Sequence, residues 1–220
     1  MKKVIMSFVS ILLLVYISSA QTKTMIPDLS KVAGNDGWKL VNRAANILNE
    51  NGSMIIHLDN RKGDGLAKLE SFEFNNGTIE VDLKGKDVQG SSFIGIAFRG
   101  VNDSTFDAIY FRPFNFLSPD SMRQKHSVQY ISQPVYTWSK LRDNFPSKYE
   151  NKIKDAPDPN SFFHAKIVVK NHQITVFVNN STVPNLKVQE LSERIGGWVG
   201  LWVGNYSDGN FANLKIINEE

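Results

Sequence analysis

Seven residues carry chemistry that could serve one ligand: Arg99, Tyr110, Arg112 and Trp202 in strand-like stretches, and Trp138, Arg142 and Glu150 in a long irregular segment. A guanidinium presents five donors in a fixed plane, and an aromatic ring presents a flat apolar face. A sugar uses both, stacking its C–H faces on rings while its hydroxyls accept hydrogen bonds. Glu150 is the one candidate general acid or base, and spacing names no partner for it. The plainer alternative is that Trp202 fills space beneath the long segment, that the arginines pair with local carboxylates, and that Trp138 and Tyr149 pin the segment down.

The elements that must position these side chains are strands, in which successive residues point to opposite faces. In "FIGIAFRG" the set Ile94, Ile96 and Phe98 claims the core, leaving Arg99 opposite. In "AIYFRPFNF" Ile109 and Phe111 face inward and Tyr110 and Arg112 outward, with Pro113 marking where the strand leaves the ladder. In "GGWVGLWVGN" Val199, Leu201 and Val203 form the core row and Trp198 and Trp202 the other, spaced by glycines that leave room for a ligand. Arg99, Tyr110, Arg112 and Trp202 are thereby expected on one face as a shallow open groove. A one-residue slip inverts such an assignment, so a structure with Arg99 and Arg112 on different faces removes the groove drawn here. On an open face, Arg112→Ala should cost only about a kilocalorie of stability, as surface changes do.

Short β runs cut by Gly, Asn and Asp recur along the chain, from "SMIIHLDN" and "GTIEVDLKG" through "HSVQYIS", "HAKIVVKN" and "QITVFVNN" to "FANLKIIN". Their number and spacing imply an all-β, two-sheet antiparallel jelly-roll sandwich. With no internal repeat or linker, residues 25–220 read as one domain. The longest interruption, residues 132–162, holds a helical turn or two near Thr137 to Asn144, three further prolines and mixed charges. Loops of that length are often functional, and this one is expected to fold across the mouth of the groove and bring Trp138, Arg142 or Glu150 near Arg112.

Residues 1–20 read as a secretory signal peptide: Lys2 and Lys3, an apolar run from Val4 to Ile17, then Ser18, Ser19 and Ala20. The run falls short of the roughly 20 residues a membrane span needs, so cleavage after Ala20 fits better than anchoring. An exported, periplasmic or secreted protein of bacterial type follows, without membrane attachment after cleavage. Of 25 basic and 22 acidic residues, two of the basic ones lie in that leader, which leaves no excess suited to nucleic acid. The chain has no cysteine, so disulfides, thiolate metal sites and a cysteine nucleophile are excluded. His57, His126, His164 and His172 are too scattered for a histidine metal centre, and no cofactor motif occurs. A calcium site at Asp208 and Asn210 in "YSDGNF" competes with a plain β-turn, which is favoured.

The segments "NNGTIEVDLKG", "SSFIGIAFRG" and "GWVGLWVGNYSDGNFANLKI" resemble the concanavalin A-like lectin/glucanase superfamily, and within it the chain is most similar to the bacterial 3-keto-disaccharide hydrolase-type domain. The resemblance implies a curved jelly roll whose concave sheet meets carbohydrate. Glu80 and Asp82 resemble the start of the Glu-x-Asp-x-x-Glu strand of laminarinase-type glucanases, but Lys84 and Gly85 follow where a second glutamate is needed, so that mechanism is rejected and the pair reads as a solvated face. The expected function is carbohydrate binding or glycoside processing on the concave sheet. The alternatives are a glycoside hydrolase of the 3-keto-disaccharide type and a non-catalytic structural or protein-contact domain, the latter if Tyr110 and Trp202 lie under the loop with no opening.

Overall fold

The computed structural model describes residues 22–50 and 52–219; the leader read at residues 1–20 lies outside them. Two antiparallel sheets form a sandwich. The eight-stranded sheet contains β1 (Thr22–Met25), β3 (Ala45–Glu50), β4 (Ser53–Arg61), β6 (Asn76–Lys84), β11 (Phe163–Lys170), β12 (Gln173–Val178), β13 (Leu186–Gln189) and β15 (Ser207–Glu219). Their order is β13-β12-β11-β6-β15-β4-β3, and β1 pairs with the far end of the long strand β15. The seven-stranded sheet runs β10-β9-β8-β7-β14-β5-β2, from β10 (Glu150–Asn151), β9 (Val128–Gln133), β8 (Thr105–Phe111) and β7 (Ile94–Asn102) to β14 (Trp198–Val203), β5 (Gly65–Leu69) and β2 (Trp38–Val41).

Alternation builds the core between the sheets. Ile79, Val81 and Leu83 of β6 and Ile167 and Val169 of β11 point toward Ile94 and Ile96 of β7, Ile109 and Phe111 of β8, and Leu201 and Val203 of β14, and all are fully buried. Each such side chain contributes about 1.5–3 kcal/mol by leaving water. Glu80 and Asp82, on the opposite face of β6, meet Lys215 at 3.6 Å and His164 at 2.7 Å, the solvated face the alternation implies. "YSDGNF" is not a plain turn: the turn closes at Asn205 and Tyr206, and Ser207 already begins β15.

The long interruption is a strap. A four-residue helix α1 (Ser121–Gln124) precedes β9; after β9 Tyr136 pairs back on Ser132, and a short helix α2 (Trp138–Asn144) follows, its start capped by the Thr137 hydroxyl, which accepts from the Lys140 amide at 3.4 Å. The strap then returns as β10, adding an edge strand to β9 with Glu150 opposite Gln129. Among the described residues no helix is long and apolar enough to cross a membrane.

Candidate functional site

The pairing registers lay one row of side chains across the outer face of the seven-stranded sheet: Glu150 opposite Gln129, Gln129 opposite Tyr110, Tyr110 opposite Gly95, Gly95 opposite Trp202. Gly95 is the gap that lets the rings on either side meet. A Cβ there would lie 2.6 Å from Tyr110 Cα, whereas its absence allows the Tyr110 and Trp202 rings to approach to 5.0 Å. Tyr110, Arg112 and Trp202 thus share a face, as alternation implies.

Arg99 does not join them. The register of β7 shifts after Phe98, and Arg99 takes a positive φ of 50°, a conformation uncommon outside glycine. The bulge resets the alternation by one residue and turns the guanidinium inward, toward the other sheet. There it is buried, donating to Glu190 Oε1 at 2.7 Å and to Asn76 Oδ1 at 3.5 Å. Arg99 and Arg112 lie on different faces, so the open groove drawn from both is not what this face carries.

Arg112 is not open either, being only 5% exposed. Its Nη1 donates to the His126 carbonyl at 2.8 Å, and its Nη2 donates to Gln129 Oε1 at 2.5 Å and to the Tyr110 hydroxyl. Burial raises the Tyr110 hydroxyl pKa to about 12 and pulls that of Arg112 down from its ordinary value. The arginine in the middle of "AIYFRPFNF" is therefore bound to β8, β9 and the segment leading into β9, with its charge 4.0 Å from Glu150 of the strap.

Glu150 closes the tie from the strap. Arg142, on the last turn of α2, donates to Glu150 Oε1 at 3.1 Å through Nε and to Oε2 at 2.8 Å through Nη2. His126 Nδ1 stands 2.8 Å from Oε2 in charge contact without an aligned hydrogen bond, and Arg112 Nη1 stands at 4.0 Å. Burial pushes the Glu150 carboxyl up, but Arg142 and His126 outweigh it and hold the pKa below its ordinary value. A general acid needs the reverse, and the carboxylate is already occupied, so the acid/base role read for Glu150 finds no support in this geometry. A carboxyl with a lowered folded pKa stabilises the fold above its unfolded pKa and loses that contribution as pH falls through the folded value. Glu150→Gln should therefore lower the urea midpoint at neutral pH and match the wild type well below pH 4.5. Equal deficits at both pH values would refute the ionic tie.

Beyond the tie, a cavity of about 300 Å³ opens on the same face, floored by Tyr110 and Trp202 and walled by Phe93, Thr137, Trp138 and Asp64. Tyr110 and Trp202 are nearly buried, at 2% and 4% exposed, yet the strap leaves this opening over them. Trp138 is half exposed at the rim, and Arg142, one helical turn on, lies 5.2 Å from its ring while reaching Glu150. The strap crosses the face as expected and brings Trp138, Arg142 and Glu150 to it, but only Trp138 lines the cavity.

Asp64 was not visible as a site residue in the sequence, where it sits in the turn "KGDGL". The residue as a whole is exposed, but crowding of protein around its carboxyl raises its pKa, against the pull of the Arg43 charge. Beside it the buried Trp202 Nε1 has no hydrogen-bond partner of good geometry. Asp208, the candidate calcium ligand, accepts from Lys86 and faces His57 Nε2 at 4.0 Å. A lysine ammonium on the carboxylate does not suit a hard divalent ion, and no group of three or more acidic or histidine side chains among the described residues could hold a metal.

Comparison with protein-family models and with curated proteins returns no match. Solved structures of similar fold include the carbohydrate-binding module CBM66 from Bacillus subtilis, at TM-score 0.57 and 17% identity over 82% of this chain and 95% of that one. A Bacillus subtilis protein of unknown function with a galectin-like fold has a TM-score of 0.55 at 11% identity over 87% and 92%. The exoplasmic/lumenal domain of VIP36 in its Ca2+/Man-bound form has 0.53 at 11% identity over 84% and 83%. At these identities the likeness is one of fold, the two-sheet sandwich of lectin-like domains.

Proposed function

We propose that this protein binds carbohydrate in the cavity over Tyr110 and Trp202, as an exported lectin-like module. The observation that carries the reading is the cavity itself, with Tyr110 and Trp202 as its floor, Trp138 at its rim and the Asp64 carboxylate beside the Trp202 indole. A ring hydroxyl can accept from the indole and donate to the carboxylate while the sugar's C–H face lies against Trp138. The cavity is at the small end of ligand sites, and the strap bounds one side, so it suits a terminal sugar better than the middle of a chain. The fold it shares with CBM66 and with the Man-bound VIP36 domain is consistent with this reading.

A test is a glycan array with the mature protein, followed by titration of any hit. Trp138 is half exposed, so Trp138→Ala should leave the thermal midpoint nearly unchanged and weaken binding about tenfold or more, as loss of a stacking ring does. Binding unaffected by Trp138→Ala would remove the cavity as the site. A second reading, a glycoside-processing enzyme of the 3-keto-disaccharide hydrolase type, draws on the raised pKa of Asp64, which suits a general acid. Hydrolysis by paired carboxylates needs two, and among the described residues Asp64 is the one carboxylate lining the cavity. Incubating the array hit with wild type and Asp64→Asn separates the readings: cleavage abolished by Asp64→Asn supports the enzyme, and binding with no cleavage supports the module.

A further inference from the structure

The outer face of the eight-stranded sheet carries a second cavity, of about 480 Å³, unrelated to the ties that hold the strap. Its floor is another cross-strand row: Asn210 of β15 pairs with His57 of β4 on one side and with Lys84 of β6 on the other. All three point away from the core, because their neighbours Ile56, Leu83 and Phe211 are fully buried inward. Lys86 and Asp208 wall one end, Asn160 comes over from the strap, and Leu48 of β3 adds an apolar edge.

The hydrogen bonds within this group leave donors among the residues that line the cavity. His57 Nδ1 lies 2.7 Å from Asn210 Oδ1, which commits the oxygen and frees the Asn210 amide N–H groups. Asn160 Oδ1 accepts from the Asp87 amide at 3.0 Å, which frees its side-chain N–H groups as well. Lys84 lies over the Phe162 ring at 5.5 Å and reaches Glu50 at 3.4 Å, and Lys86 donates to Asp208. Two ammonium groups and two side-chain amides thus line the cavity; each ammonium has one carboxylate neighbour, Glu50 for Lys84 and Asp208 for Lys86, and keeps further N–H groups beyond it. Such a surplus of N–H donors matches a group with several acceptor oxygens and a negative charge.

We infer that this outer cavity is a second binding site, for the carboxylate or sulfate group of an acidic polysaccharide, with Lys84, Lys86 and Asn210 as the recognising residues. The apolar edge at Leu48 and the nearby Phe162 ring give the attached sugar a surface to lie on. The turn from β14 to β15 links the two cavities: Gly204 and Asn205 line the first, and Asp208, Gly209 and Asn210 the second. The second site does not depend on what the first one binds.

The test is calorimetric titration of the mature protein with oligogalacturonate, with a sulfated oligosaccharide of similar length, with a neutral oligosaccharide, and with inorganic polyphosphate. One or both acidic saccharides should bind, and which of them binds identifies the carboxylate or the sulfate as the source. Lys84→Gln/Lys86→Gln should weaken that binding at least tenfold, more at low ionic strength, with the thermal midpoint as the check on folding. A control pair on the same sheet, Lys166→Gln/Lys187→Gln, should leave it unchanged, as should Trp138→Ala in the other cavity. Absence of acidic saccharide binding, equal loss in the control pair, or polyphosphate binding as tight as the saccharide would each overturn the assignment. Loss on Trp138→Ala with no effect of the Lys84/Lys86 pair would place the acidic ligand in the first cavity and remove the second site.

Discussion

Arg112→Ala should destabilise the protein by at least about 3 kcal/mol, the range seen when one member of a buried charged network is removed. The sequence alone implied about a kilocalorie, because alternation put Arg112 on an outward face. The face was right and the exposure was wrong: the strap buries the guanidinium, whose loss would leave the Tyr110 hydroxyl, Gln129 Oε1 and the His126 carbonyl short of a donor and bring Glu150 one charge nearer to isolation. Urea unfolding followed by tryptophan fluorescence reads the loss, since Trp202 lies in contact with Tyr110 in the same row. Arg112→Lys should recover only part, because an ammonium cannot reach three acceptors in the planar spread of a guanidinium. A cost below about 1 kcal/mol for Arg112→Ala would show that the tie contributes nothing and that the strap is held by packing alone.

Arg99→Ala should be as damaging, about 3–5 kcal/mol, for the same reason on the opposite face. It strands Glu190, whose side chain is fully buried with Arg99 as its aligned hydrogen-bond donor and His172 Nδ1 at 3.3 Å. Burial already holds the Glu190 pKa above its ordinary value despite Arg99. A raised folded pKa contributes stability below the unfolded pKa that is lost as pH rises through the folded one, opposite in sign to Glu150. Without Arg99 the Glu190 carboxyl should rise further, so the Arg99→Ala deficit should shrink on acidification. Ligand binding in the folded fraction should be intact, because Arg99 lies between the sheets. Reduced affinity in well-folded Arg99→Ala protein would mean that the bulge reaches the cavity.

The extent to which the sequence disclosed this molecule depended on whether alternation ran undisturbed. "GTIEVDLKG" and "GGWVGLWVGN" alternate cleanly and became β6 and β14 with the core rows expected of them. After its glycine "GLAKL" is made of helix-forming residues, yet it forms β5, buried along its whole length, because its neighbours β14 and β2 supply the pairing that its own propensity does not. "ANILNE" and "LKVQ", the edge strands β3 and β13, lack enough aromatic or β-branched residues to stand out. The shared face of Tyr110 and Trp202 was legible for the same reason as the core. Arg99 was misplaced because a bulge is a backbone event with no residue-type marker when an arginine, rather than a glycine, takes the positive φ. Asp64 was missed because a turn acid between glycines looks like punctuation until the fold sets it beside Trp202.

The first cavity divides its labour in a way that bears on how such a protein changes over generations. Its floor is strand-borne and shared with the core lattice, through Tyr110, Gly95 and Trp202. Its walls come from four separate connections: Asp64 between β4 and β5, Phe93 between β6 and β7, Trp138 on the strap, and Asn205 between β14 and β15. Connections tolerate substitution and insertion far better than paired strands do. Descendants of this chain can therefore reshape the cavity by drift in those four places while the scaffold stays untouched. The ties through Arg112 and Glu150 lie outside the cavity, so the strap can be re-lettered at residue 138 without being let go.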